Sequence, residues 1–297
     1  MNLKLAVFAA VGFLALGVAR AQESVGAFAE GGPKVRASLV AEHEALAPGR
    51  VNYIGIRLEI EPGWHVYYDG LNDTGLPLSA DFRAPDGVKI GALIWPAPKR
   101  KVLGDFIIDH IYEKQVLLLA PVRVEHALAG SRVEIAASLE WMVCQEACLL
   151  ETSNVTLSAE VADEGSEPRR SKASALFEET RKRLPVEEGW KSGAKKPDAE
   201  GAGPASETNA ASISITEGSL VVEAAGADEI VFYPGSRCSR PVDLIEDGAA
   251  RGSRLEVRFE GGPEHVEGLV EVKRGKESQI LRVRHPGEPE REIEAGG

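Results

Sequence analysis

Cys144 and Cys148 stand four residues apart in Trp141-Met142-Val143-Cys144-Gln145-Glu146-Ala147-Cys148-Leu149-Leu150-Glu151, between two alternating apolar runs. A thiol pair at this spacing can open and close a disulfide, hold a soft metal, or serve as a fixed crosslink. In a straight strand four residues span about 13 Å, whereas a disulfide needs Cα atoms within roughly 7 Å. A bonded pair therefore demands a sharp turn and places both sulfurs at a loop edge. So short a crosslink gains little loop-closure entropy, which gives redox and metal roles weight beside a structural one. Two thiolates with Met142 or a distant histidine would suit Cu(I), although the motif has no further ligand close in sequence.

The runs that must position the pair read as strands. Val133, Ile135, Ala137, Leu139 and Trp141 alternate with polar residues, and Val155, Leu157, Ala159 and Val161 repeat the pattern. Ile54 to Ile60, Val35 to Ala41, Trp64 to Tyr68, Ile90 to Trp95 and Val116 to Glu125 are further candidates, punctuated by Pro48-Gly49, Pro62-Gly63 and Pro85-Asp86-Gly87. Many short strands predict a mainly β chain and a β-sandwich. Ala173, Leu176, Phe177, Thr180 and Leu184 fall at helical spacing before Pro185, which predicts one surface helix. Residues 188–211 are rich in Gly, Ala, Lys, Ser and Pro and read as a linker. Six more strands follow, over Ser212 to Thr216, Leu220 to Ala224, Ile230 to Tyr233, Leu255 to Phe259, Val266 to Lys273 and Gln279 to His285. The expected organisation is a signal peptide over 1–21, a sandwich with the cysteine pair over 22–162, a helix and linker over 163–211, and a smaller β-domain over 212–297.

Odd-numbered residues of the Val133 to Val143 run are apolar, so Cys144 leaves the core face and points outward, where a thiolate can approach it. Glu140, Glu146 and Glu151 flank the pair and no Lys or Arg lies within it. Carboxylates disfavour a thiolate, which suits the pair better to being attacked as a disulfide than to attacking.

Lys4, the apolar run Leu5 to Val18 and Ala19-Arg20-Ala21 read as an export signal, with an apolar run too short to span a membrane. No second stretch of spanning length follows, so no membrane span is expected after cleavage. Export places the thiols in an oxidising compartment. Three cysteines are too few for a disulfide scaffold, and the odd count leaves Cys238 over. The chain carries a net charge of −12, and loss of Lys4 and Arg20 makes it −14. Such an acidic surface argues against nucleic acid and anionic lipid.

Three blocks resemble the amino-terminal periplasmic domain of the DsbD and ScsB thiol:disulfide interchange proteins. They are Pro62-Gly63-Trp64-His65-Val66-Tyr67-Tyr68 with Asp73-Thr74-Gly75-Leu76-Pro77, then Trp95-Pro96-Ala97-Pro98 with Ile111-Tyr112-Glu113, and Trp141-Met142-Val143-Cys144 to Cys148 with Glu151. The resemblance implies an immunoglobulin-like sandwich with redox cysteines at one end. It implies electron relay between a membrane-embedded donor and thioredoxin-like or isomerase partners. It also implies a cap loop over the pair, here around Leu103 to Tyr112, with Phe106 and Tyr112 as candidate shields. Leu150 stands where relatives often carry proline, and His110-Ile111-Tyr112-Glu113 replaces their Tyr-Gly-Tyr-Glu element. The chain ends at Gly297 without a membrane or thioredoxin domain, so the expected donor is a separate protein.

Arg237 and Arg240 beside Cys238 would make that thiol reactive; otherwise it is incidental. His65 and His110 invite a metal reading against one of packing. Asn72-Asp73-Thr74 and Asn154-Val155-Thr156 are sequons that matter only in a glycosylating host. No Ser-His-Asp signature or phosphate-cradling loop is present, which disfavours hydrolase and nucleotide functions. The sequence thus points to an extracytoplasmic component of a thiol–disulfide oxidoreductase system, with Cys144 and Cys148 as its catalytic pair and no cofactor or metal. The alternative is a non-catalytic module that binds copper or a protein partner and carries a structural disulfide.

Overall fold

The structure is a computed structural model that describes residues 31–185, 211–216 and 218–285. The expected signal peptide and nearly all of the expected linker lie outside the described residues. The described residues from Pro33 onward form one compact unit.

Eleven strands precede the helix: β1 (Val35–Ala41), β2 (Ala45–Leu46), β3 (Val51–Ile60), β4 (His65–Tyr67), β5 (Ser79–Arg83), β6 (Val88–Ile90), β7 (Lys99–Leu103), β8 (Ile107–Glu113), β9 (Gln115–Val124), β10 (Arg132–Cys144) and β11 (Cys148–Val161). They form two sheets, ordered β1-β3-β9-β6 and β2-β11-β10-β4-β8-β7, with β5 also paired to β10. All pairings are antiparallel except β11 with β2. This is an immunoglobulin-like sandwich. The period-two pattern sets its core: Val133, Ile135, Ala137, Leu139, Trp141 and Val143 of β10 are buried with Ile54, Ile56 and Leu58 of β3 and Leu118, Ala120 and Val122 of β9. Each buried Val, Leu or Ile of this set contributes about 1.5–3 kcal/mol by leaving water.

β9 is apolar on both faces because its second face is also covered. Leu117 and Leu119 pack under Phe177 and Leu184, which come from the helix α1 (Ser174–Arg181) and the turn after it. The helix is shorter than its apolar spacing suggests; Leu184 packs from beyond its end. Arg181 locks it down through both carboxylate oxygens of Glu42, at 2.5 and 2.6 Å.

The remaining strands build two small sheets. Ala211–Ile215, Ser219–Ala224 and Arg254–Arg258 form one; Ala249–Arg251, Glu229–Pro234, Val266–Arg274 and Glu277–His285 form the other. They enclose a second core around Leu220, Val222, Phe232, Val257, Val270 and Val272. A short helix, α2 (Leu244–Asp247), capped by the Asp243 carboxylate, has no counterpart in the sequence reading. The sandwich core also takes in Val231, Tyr233, Leu269 and Ile280. At this junction the Arg100 guanidinium donates to the carbonyls of Leu244 and Ile245, and the His110 ring meets Tyr233 edge-on.

Two sequence expectations change. Ile90 to Trp95 is not a strand beyond Ile90; only Ile94 makes an isolated bridge, to Leu119. The expected cap loop around Leu103 to Tyr112 is mostly sheet: β7 and β8 form a hairpin closed at Leu103 and Ile107. Lys99, Arg100 and Lys101 hide β7 from any reading based on apolar periodicity.

Candidate functional site

β10 and β11 form a hairpin whose last pair is Cys144 opposite Cys148, with Gln145-Glu146-Ala147 as its loop. The two Cα atoms are 4.1 Å apart and the sulfurs are bonded. The turn that the spacing demands is thus the end of a hairpin.

The two sulfurs have different surroundings. Val143 points into the sandwich core, so Cys144 projects from the opposite face of the sheet, as its even register requires. That face is not bare. Cys144 is 3 % exposed and packs with Tyr67, Ile111 and Met142. Cys148, Leu149 and Leu150 are exposed. Periodicity tells which side of a sheet a residue takes, but not what lies over it. The expectation of an open Cys144 is therefore corrected: Cys148 is the reachable member.

Tyr67 covers Cys144. Its hydroxyl lies 3.9 Å from Cys148 Sγ and 3.0 Å from Thr74 Oγ1. Burial pushes its phenol pKa up, so the phenol stays protonated. The segment 72–77 lies against Tyr67: Pro77 bridges to it, and a Cβ on Gly75 would sit 2.1 Å from the ring. Only glycine fits that approach. Asp109, buried in β8, anchors this strap by accepting from the Asp73 and Thr74 amides at 2.9 and 3.0 Å and from the Thr74 hydroxyl at 2.6 Å. Asp73 returns the contact, accepting from the Ile108 amide at 2.7 Å.

Neither expected shield lies at the sulfurs. Tyr112 is 2 % exposed and shares the core-facing side of the sheet with Val66 and Val143. Its hydroxyl donates to the Pro96 carbonyl at 2.5 Å and its ring stacks on Trp95. It therefore stands on the wrong face to cover Cys144. Phe106 is 76 % exposed at the tip of the β7–β8 hairpin. Ile107 is six residues along β8 from Glu113, the residue level with His65 and Cys144, or about 20 Å of strand.

His65 stands directly opposite Cys144 and is buried. Burial first, and Lys101 second, hold its pKa below the usual imidazole value. His110 is fully buried; its Nδ1 lies 2.9 Å from the Leu71 carbonyl, and burial lowers its pKa to about 4. It packs at the junction with Tyr233. Cys238 is buried in the second core, and desolvation raises its pKa to about 11. Arg237, whose charge would activate it if it faced the sulfur, is turned to Glu267 at 2.9 Å, in keeping with the incidental thiol preferred from sequence. Among the described residues no three His, Cys, Asp or Glu side chains gather as metal ligands.

Sequence reasoning gave no site role to Tyr67, Thr74, Asp109 or Lys101. Tyr67 and the Asp73-to-Pro77 run stood inside a block of family likeness, which was a usable signal. Asp109 and Lys101 reach the site only through strand pairing and left no local trace.

Residues 36–160 match the family model described as thiol:disulfide interchange protein DsbD, N-terminal. No curated protein matches the chain. Among solved structures, the N-terminal periplasmic domain of ScsB from Proteus mirabilis is 13% identical with a TM-score of 0.47, covering 83% of this chain and 91% of its own. The Neisseria meningitidis DsbD N-terminal domain in the reduced form is also 13% identical, with a TM-score of 0.26, covering 45% of this chain and 90% of its own. Over residues 36–160, from β1 to the end of β11, the chain is similar to the DsbD amino-terminal family.

Proposed function

We propose that the protein is an extracytoplasmic thiol–disulfide exchange component that relays electrons through Cys144 and Cys148. The observation that carries this reading is a disulfide at a hairpin end with one exposed and one covered sulfur, in a domain of the DsbD amino-terminal type. The export signal read over residues 1–21 supports the compartment.

In the reducing direction, a partner dithiol supplies a thiolate that attacks Cys148 Sγ in line. A partner–Cys148 disulfide forms, the Cys144–Cys148 bond breaks, and its electron pair goes to Cys144 Sγ. The partner's second thiolate then attacks its own sulfur in the mixed disulfide and releases Cys148. The pair has gained two electrons and the partner leaves as a disulfide. Reversing these steps delivers the electrons to an oxidised acceptor. A membrane protein as donor and a thioredoxin-like or isomerase protein as acceptor fit this direction.

A redox titration of the full chain tests the proposal. A two-electron transition at a potential above about −300 mV supports exchange, whereas one far below it marks a structural bond and leaves the binding-module alternative.

A further inference from the structure

The face that carries Cys144 has a charge pattern of its own. His65 is directly opposite Cys144 in the β4–β10 pairing. Opposed residues of antiparallel strands project from one face with Cβ atoms about 4.5–5.5 Å apart. Lys101 Nζ lies 3.4 Å from His65 Nδ1. An ammonium can only donate, so Nδ1 is the accepting nitrogen and the ring proton of neutral His65 sits on Nε2.

The two carboxylates that face the dyad are hydrogen-bonded to other groups. Glu113, opposite His65, takes Lys99 at 2.8 Å. Asp109, opposite Lys101, is occupied by the strap through the Asp73 and Thr74 amides and the Thr74 hydroxyl. Glu146 in the turn and Glu140 four residues back along β10 are exposed, and Glu151, opposite Trp141, lies on the other face and accepts from the Lys34 and Val35 amides. Tyr67 is a neutral phenol. Lys101 forms no ion pair among the described residues. The covered side of the disulfide thus meets one ammonium and one imidazole N–H, and the carboxylates that face them, Asp109 and Glu113, are hydrogen-bonded to the strap and to Lys99. A further negative group arises there when the sulfur–sulfur bond opens.

We propose that His65 and Lys101 form a thiolate-holding dyad for Cys144. When a partner thiolate bonds to Cys148 Sγ, the electron pair of the broken bond rests on Cys144 Sγ. That sulfur takes a hydrogen bond from His65 Nε2–H, while Lys101 fixes the tautomer from Nδ1 and adds its charge. No proton moves in this step, and the partner dithiol is the reductant. His65 and Lys101 are positioning residues and form no covalent bond. They offset the acidic residues that flank the pair in sequence. The dyad presupposes the exchange chemistry proposed above.

The test uses the full chain with Cys148→Ser and Cys238→Ala, which leaves Cys144 as its lone thiol. Its ionisation is read from ultraviolet thiolate absorbance against pH. Lys101→Met and His65→Ala are each expected to raise the Cys144 pKa by about one unit, a roughly tenfold loss of thiolate at neutral pH. Lys101→Arg is expected to preserve it. Lys101 is only partly buried on the β7–β8 hairpin, so Lys101→Met reports even where His65→Ala fails to fold. A Cys144 pKa unmoved by Lys101→Met overturns the dyad. Exchange itself is judged separately: a wild-type pair that reduces normally beside an unmoved pKa sinks the dyad alone, whereas a pair that resists reduction sinks the exchange reading.

Discussion

The two cysteine-bearing regions have opposite sequence surroundings and opposite chemistry. Cys238 sits between basic neighbours, Arg237 and Arg240, yet it is buried in the second core with its pKa raised to about 11. Cys148 sits among glutamates, yet it is exposed at the end of a hairpin and bonded to a covered partner. Chain neighbours did not decide either case. Arg237 spends its charge on Glu267, and Glu151 spends its own on the Lys34 and Val35 amides. What matters is which groups the strand pairing brings to the sulfur, and whether water and a partner can reach it.

The largest effect should come from the sulfurs themselves. Cys144→Ser or Cys148→Ser should abolish turnover between a dithiol donor and a disulfide acceptor, while Cys238→Ala should leave it within about twofold. Equal losses in all three would erase the contrast between the regions. Next, alkylation of the reduced native protein should modify Cys148 more than about a hundredfold faster than Cys238, because Cys148 is exposed and burial suppresses the Cys238 thiolate. Denaturant should equalise the two rates; equal rates in the native state would contradict the burial argument.

Between the regions lies His110, neutral and buried against Tyr233. Its folded pKa of about 4 lies below the ordinary imidazole value of about 6.5. Below 6.5 the unfolded chain binds a proton that the folded chain refuses, so stability falls as pH drops from about 6.5 toward 4. The loss from this group approaches about 3 kcal/mol. Chemical denaturation across that window should show the slope, and His110→Asn should flatten it. An unchanged slope would reassign the pH dependence to other groups.

Smaller effects should stay on the rim side. Gly75→Ala drives a methyl into the Tyr67 ring and should cost about 1–3 kcal/mol. It should speed Cys144 labelling and leave Cys238 labelling unchanged; faster labelling of both would mean global loosening. Tyr67→Phe removes the hydroxyl shared with Thr74 and near Cys148 and should cost about 1 kcal/mol. A change in Cys238 labelling would again tell against a local role.

The same distinction explains what the sequence disclosed. β1 and β10 were plain because their alternation is local, and Pro185 marks the end of the segment that carries α1. The hairpin end at Cys144 and Cys148 followed from chain reach alone. The cover over Cys144 did not, since it comes from β4, β8 and the strap, which long-range pairing brings together. β7 was hidden by its basic run, and the cap was placed on Phe106 and Tyr112 because nothing in the chain order reveals that Tyr112 shares the core face with Val66. Asp109 holds the strap from 35 residues away, a contact that no local pattern encodes.

The central claim is that the disulfide opens from Cys148 while Cys144 stays covered. It is tested most directly by treating the folded, oxidised protein with a small thiol, quenching the mixed disulfide with acid and mapping the adduct. The account predicts the adduct on Cys148 with Cys144 as the released thiol. An adduct chiefly on Cys144, or no adduct until the protein unfolds, would contradict it.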